Sequence, residues 1–266
     1  MTLTGKGGRG SPVVGRRGFL SGMVVAAGAL GAGRAQGFAG ASAFQIRGLL
    51  TGTAQWGGPR ASAPASWAEE LMRRTSAPAR ASVTAVHASH AALWDQPVVL
   101  WAGAGAVQPL TGQEQAGIAQ FLRLGGILIV DDSEPDRGDF GRTVRDELSK
   151  VLPESAPIEL DRSHVIFKSF YILDRPVGRV MGPPSIQAMV RDGVAQVILL
   201  RHDLCGALAR TDSGTWALPV ASGAYRQREL AIRLAVNLAM YVLCSDYKDD
   251  QVHAPWLMRR RSRRAP

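Results

Sequence analysis

Cysteine is nearly absent. Cys205 and Cys244 are the only two in 266 residues. At most one disulfide can form, which excludes a cysteine framework. That one bridge needs Cα atoms within about 7 Å, and two separately buried thiols are the simpler expectation. Long apolar runs are also missing. Residues 19–33 are apolar over 15 positions only, and the stretch 230–243 is broken by Arg233 and Asn237. A bilayer span needs about 20 residues, so the second stretch reads as a packed helix. Acids are missing from both ends. Residues 1–43 carry Lys6, Arg9, Arg16, Arg17 and Arg34 without one acid, and residues 259–266 carry Arg259, Arg260, Arg261, Arg263 and Arg264 without one. These ten account for the net charge of +9, because 21 basic residues face 22 acidic ones in 44–258. The basic folded face that nucleic acid requires is not encoded, and no nucleic-acid partner is expected.

What is present begins with an export pattern. Arg16-Arg17, then Gly18, Phe19 and Leu20, precede a Gly/Ala-rich apolar run. This resembles the twin-arginine (Tat) signals, whose pattern is Arg-Arg-x-Phe-Leu. Ala41-Ser42-Ala43 supplies a small-x-small cleavage site, so residues 1–43 read as a signal peptide and the mature chain as starting near Phe44. The competing reading is an uncleaved anchor, for which the run is short. Export by this route implies a periplasmic or envelope-associated protein.

The mature chain alternates strands with helices. Strands are expected at 44–50, 82–86, 97–101, 127–130 and 194–200. Helices are expected at 67–75, with Ser66 as N-cap, after Thr111, at 139–151 and at 226–243. Thr111 and Glu114 form a T-x-x-E capping box. Gly125-Gly126 stops that helix. Phe140, Val144, Leu148 and Val151 make one helical stripe. Residues 154–190 are Pro-rich and read as an irregular insertion. The whole is a single α/β domain over 44–258, flavodoxin-like, with a mainly parallel sheet covered on both faces and a basic tail at 259–266.

Open α/β sheets bind ligands beyond the carboxyl ends of their strands. Three such ends carry candidates. The strand at 97–101 leads into Gly103 and Gly105, a weak phosphate-cradle pattern that better fits a tight strand-to-helix turn. The strand at 127–130 ends in Asp131-Asp132, and the strand at 194–200 ends in Arg201-His202-Asp203. Asp131, Asp132, His202 and Asp203, joined by His164, form a candidate site for a divalent metal, with Asp131, Asp132 and His164 as first ligands. The competing reading is that each polar residue only ends a buried strand or caps the next helix. The turn at 102–105 holds no Cys, Ser or Thr, so a nucleophile on a tight turn after a central strand is not expected there.

Three stretches carry a family likeness. "FLRLGGILIVDD" (121–132), "VLPESAPIELDRSHVIFKSFYIL" (151–173) and "NLAMYVLCSDYKDDQVHAPWLMRRR" (237–261) resemble the bacterial family called domain of unknown function 4159. The resemblance implies a three-layer sandwich like the class I glutamine amidotransferases, and marks Gly125, Gly126, Asp131, Asp132, His164 and Phe167. It implies no established activity. It also implies neighbours, since members are encoded beside MoxR-type ATPases and von Willebrand A-type membrane proteins. The reading is an exported, non-catalytic ligand- or partner-binding domain of an envelope assembly, its basic tail free to touch membrane or an acidic partner. The alternative is a metal-dependent hydrolase built on the carboxylate and histidine candidates.

Overall fold

The computed structural model describes residues 43–221 and 224–262, with side chains described at 43–221 and 225–245. Arg16, Arg17, Phe19 and Leu20, read above as an export signal, lie outside the described residues, as do residues 263–266. Among the described residues seven strands form one sheet: β1 (Arg47–Leu50), β2 (Ala85–His87), β3 (Val98–Gly103), β4 (Ile127–Asp132), β5 (Ile158–Leu160), β6 (Ile186–Arg191) and β7 (Val194–Leu200). Their order is β2-β1-β3-β4-β7-β6-β5. The five from β2 to β7 in that order are parallel, and β6 and β5 add antiparallel pairs. Helices α1 (Ala63–Arg74), α2 (Gly112–Arg123), α3 (Asp139–Val151), α4 (Leu204–Leu208) and α5 (Ala224–Ser262) flank it. This is a flavodoxin-like three-layer sandwich.

Period-two alternation assigns the layers. On β3, Val98 and Leu100 enter one core with Trp67, Leu71, Leu204, Leu234 and Leu238, so α1, α4 and α5 cover that face. Val99 and Trp101 enter the other core with Ile118, Phe121, Phe140, Val144 and Leu148, so α2 and α3 cover the opposite face. With both faces dry, the central strands are apolar throughout: every residue of β4 is buried.

Local signals explain the boundaries. The Thr111 side chain accepts the Glu114 amide and Glu114 reaches back, closing the capping box of α2. Gly125 then ends α2 at φ 86°, a conformation open to glycine. Helix α1 starts at Ala63, ahead of the expected Trp67, because Pro64 suits a first turn whose N–H has no helical partner. Ser66 is therefore buried within α1, and the N-cap position falls to Ser62. Cys205 is buried and Cys244 exposed, both free, so only one matches the expected buried thiol.

The segment 154–190 is not simply irregular. It contributes β5 and β6, which extend the sheet. The hairpin from β6 to β7 turns at Asp192-Gly193, with φ of 52° and 79°. Asp-Gly is a strong two-residue hairpin signal. The rest of the segment is held by α5. Asn237, fully buried, accepts the amides of Phe170 at 3.2 Å and Tyr171 at 2.7 Å and donates to the Tyr171 carbonyl at 2.8 Å. The polar residue that interrupts the apolar stretch 230–243 is thus a pin. Replacing Asn237 with Ala strands two amides and a carbonyl, and is expected to cost about 3 kcal/mol. Urea unfolding measures this, and a loss below about 1 kcal/mol would show that the pin carries no weight.

Candidate functional site

β3, β4 and β7 are adjacent and parallel, so their carboxyl ends share one edge. Asp131 and Asp132 close β4, opposite Ala102 and Gly103 of β3. Both carboxylates are buried and turned into the protein. Asp131 accepts the Leu204 amide at 2.9 Å and the Cys205 amide at 2.7 Å, which fastens the start of α4 to the end of β4. Asp132 accepts the amides of Glu134 at 3.0 Å and Gly141 at 3.1 Å, which folds the loop between β4 and α3 back over the strand.

Asp203 lies beside them. Its backbone is left-handed, φ 50°, a conformation Asp tolerates better than most residues. From there its carboxylate accepts the Gly206 amide at 2.9 Å and caps α4. It also receives two arginines. Arg60, from the loop after β1, binds it with Nε and Nη2, both at 2.7 Å, and Nη2 also reaches the Ser133 carbonyl at 3.2 Å. Arg179, from the loop before β6, binds it through Nε. Asp203 is fully buried, whereas each arginine side chain is 25% exposed. Arg60 Nη1 and both Nη groups of Arg179 make no hydrogen bond among the described residues.

The electrostatics follow from burial. Asp131 is pushed up to about 7, first by desolvation and then by the negative Asp203, against the amides of Cys205 and Leu204. Desolvation, with Asp131 beside it, raises the Cys205 thiol well above its usual range, so that thiol is no nucleophile. The hydrogen bond to Asp203 holds Arg60 firmly protonated.

The other candidates lie apart from this knot or are consumed by packing. His202 is buried. Its Nδ1 accepts the Arg201 amide at 3.2 Å, so Nε2 carries the proton and donates to the Pro183 carbonyl at 2.9 Å. Burial depresses it to about 4, which keeps it neutral. His164 caps a short 3₁₀ turn by accepting the Ile166 amide, and its ring lies 6.0 Å from Tyr241, whose hydroxyl binds the Ala195 amide at the opposite end of β7. The proposed ligand set of Asp131, Asp132 and His164 therefore does not converge. Among the described residues no three His, Cys, Asp or Glu side chains gather as a metal set. Gly103 is a packing position: a Cβ there would meet Phe140 at 2.6 Å. Gly105 supplies a turn at φ 71°. Of the candidates, Asp131 and Asp203 are brought together. Arg60 and Arg179 carry no local pattern that singles them out, and only the fold unites them.

A family model described as a domain of unknown function (DUF4159) matches residues 45–243, most of the chain. No curated protein matches it.

The raised Asp131 has a signed consequence. Its folded value, about 7, exceeds the ordinary 3.8. Between these values the folded state holds a proton that the unfolded state has released, so its contribution to stability falls as pH rises. His202, lowered from 6.5 to about 4, has the opposite slope over most of that window. The comparison of wild type with Asp131→Asn isolates the first group. The stability advantage of wild type in urea unfolding should be largest near pH 4 and narrow towards pH 7. An advantage that widens with pH would mean that the two amide donors outweigh burial.

Proposed function

The chain belongs to the DUF4159 family, and from that premise we propose an exported binding domain of an envelope-associated assembly, whose carboxyl-edge crevice receives an anionic group. The observation that carries this reading is the pair Arg60 and Arg179. Two guanidiniums share one buried carboxylate, and three of their Nη groups are left for a further acceptor. Asp131 beneath them resists ionising up to about pH 7, so this part of the edge carries an excess of positive charge. Guanidinium donors match carboxylate geometry and are less strongly hydrated than ammonium groups. Partly exposed side chains held by a buried partner are also pre-ordered, which lowers the entropy lost on binding.

The proposed occupant is an acidic segment of a membrane partner. The MoxR-type ATPases and von Willebrand A-type membrane proteins implied by the family resemblance are the proposed assembly. Export through the twin-arginine signal would place the domain where such a partner is reached, and the basic end of the chain would add contact with anionic lipid or the same partner. Amidotransferase chemistry is not proposed, since the turn after β3 offers only Gly103, Ala104 and Gly105 where that chemistry needs a nucleophile. A metal-dependent hydrolase is not proposed either, since His164 and His202 are engaged elsewhere.

The test is capture from the native envelope. Tagged wild-type chain should recover a membrane partner, and Arg179→Gln should reduce recovery about tenfold, as expected for one lost charge-assisted contact. Thermal unfolding should be nearly unchanged, because Arg60 still holds Asp203 from both sides. Equal recovery by the two chains would remove the arginine pair from the interface.

A further inference from the structure

A second arrangement on the same edge lies away from the arginine pair. His87 ends β2, and Ser89 follows it. Gly52 follows β1, and Glu114 stands in the first turn of α2. The Ser89 hydroxyl oxygen lies 2.9 Å from His87 Nδ1. His87 Nε2 lies 3.1 Å from the Gly52 carbonyl and 3.6 Å from Glu114 Oε1. We propose that Ser89, His87 and Glu114 form a nucleophilic relay that hydrolyses small acyl esters.

The backbone decides the tautomer. The Ser89 amide donates to His87 Nδ1 at 3.3 Å, and an amide can only donate. Nδ1 is therefore an acceptor, and the ring proton sits on Nε2, directed at the Gly52 carbonyl and Glu114. The Ser89 hydroxyl, the nearer of the two at 2.9 Å, then donates to the same Nδ1 lone pair and shares it with the longer amide contact, so that Nδ1 faces the hydroxyl proton as a general base must. Glu114 is buried, and it is bound by the Gly52 amide at 2.6 Å and by the Thr111 amide and hydroxyl, each at 2.8 Å. Burial acts to raise its pKa, yet these donors bring it below the usual carboxylate value, so it stays ionised beneath the ring.

A local turn does not account for all of this. His90 and His164 make the same turn, each accepting the amide two residues on, from Ala92 and Ile166. Neither has a hydroxyl on that nitrogen or a carboxylate or carbonyl on the other among the described residues. Among the described residues, His87 alone combines the turn with a nucleophile on one side and a buried acid on the other. The position also fits the topology. β1 connects outward to β2, whereas β3 connects to β4 in the opposite direction, so the chain reverses beside β1, where sheets of this kind bind ligands. Three strand spacings, roughly 14 Å, separate β1 from β7, so the relay does not rest on the anion-binding reading.

The reaction balances without a further reagent. Ser89 Oγ bonds to the ester carbonyl carbon while its proton passes to His87 Nδ1. The carbon–oxygen bond to the leaving alcohol breaks, and that oxygen takes the proton from His87. Water repeats the sequence on the acyl-serine, releasing the acid and restoring Ser89. Glu114 is a positioning residue and touches no substrate.

The test uses diisopropyl fluorophosphate on the purified chain, read by intact mass and peptide mapping, with p-nitrophenyl acetate as the turnover substrate. One adduct on Ser89 is expected, formed as the P–F bond breaks and fluoride leaves. Ser89→Ala should abolish it, and His87→Gln should slow labelling roughly 100-fold. Glu114→Gln should move the pH profile of labelling to lower pH, and Glu114→Asp should partly restore it. As an independent check, Ser89→Cys should react with iodoacetamide faster than the exposed Cys244, and His87→Gln should remove that advantage. No adduct on wild type, an adduct that survives Ser89→Ala, or a rate indifferent to His87→Gln would overturn the proposal.

Discussion

Two buried carboxylates hold the carboxyl edge of the sheet together. Asp131 collects the amides that open α4, and Asp203 collects the amide that caps it together with two arginines. Burying such groups costs several kcal/mol apiece unless each is matched by donors, and here every carboxylate oxygen is. The loop after β1, the loop before β6 and the turn into α4 therefore meet at one place. Loss of either acid would leave buried amides or arginines without partners, so the geometry of the edge depends on these contacts more than on any single apolar residue.

The same satisfaction decides what the edge can do. A carboxylate whose two oxygens each hold an amide is poorly placed to bind a cation, however suggestive its position at a strand end. Asp131 and Asp132 are in that state, and His202 has both ring nitrogens engaged. The groups left facing outward are guanidiniums at one end of the edge and a serine hydroxyl at the other. Acids organise the surface from beneath, while the residues they organise meet the solvent.

Much of the fold was legible in the chain. The buried strand read at 127–130, which runs on through Asp131 and Asp132, the strand at 194–200, the Thr111–Glu114 box and the Gly125 stop are local patterns, and each is present. The hairpin at Asp192-Gly193 is an equally local pattern, obscured by the proline-rich stretch before it. The site was harder for a physical reason. Arg60 and Asp203 are 143 residues apart, and no local spacing links them. His164 looked like a ligand because of its residue type, yet the chain turns it towards Tyr241. Residue type and strand position located the edge, but the direction in which each carboxylate points depends on which distant amides reach it.

The central claim is that the Asp131-Asp132 pair points inward and organises the edge rather than binding a cation. Paramagnetic broadening of backbone amide signals by Mn²⁺ tests it most directly. The amides of Leu204, Cys205, Glu134 and Gly141 donate to these carboxylates and should keep their intensity while exposed acidic surface positions lose theirs. Selective broadening centred on those four amides at substoichiometric Mn²⁺ would contradict the account.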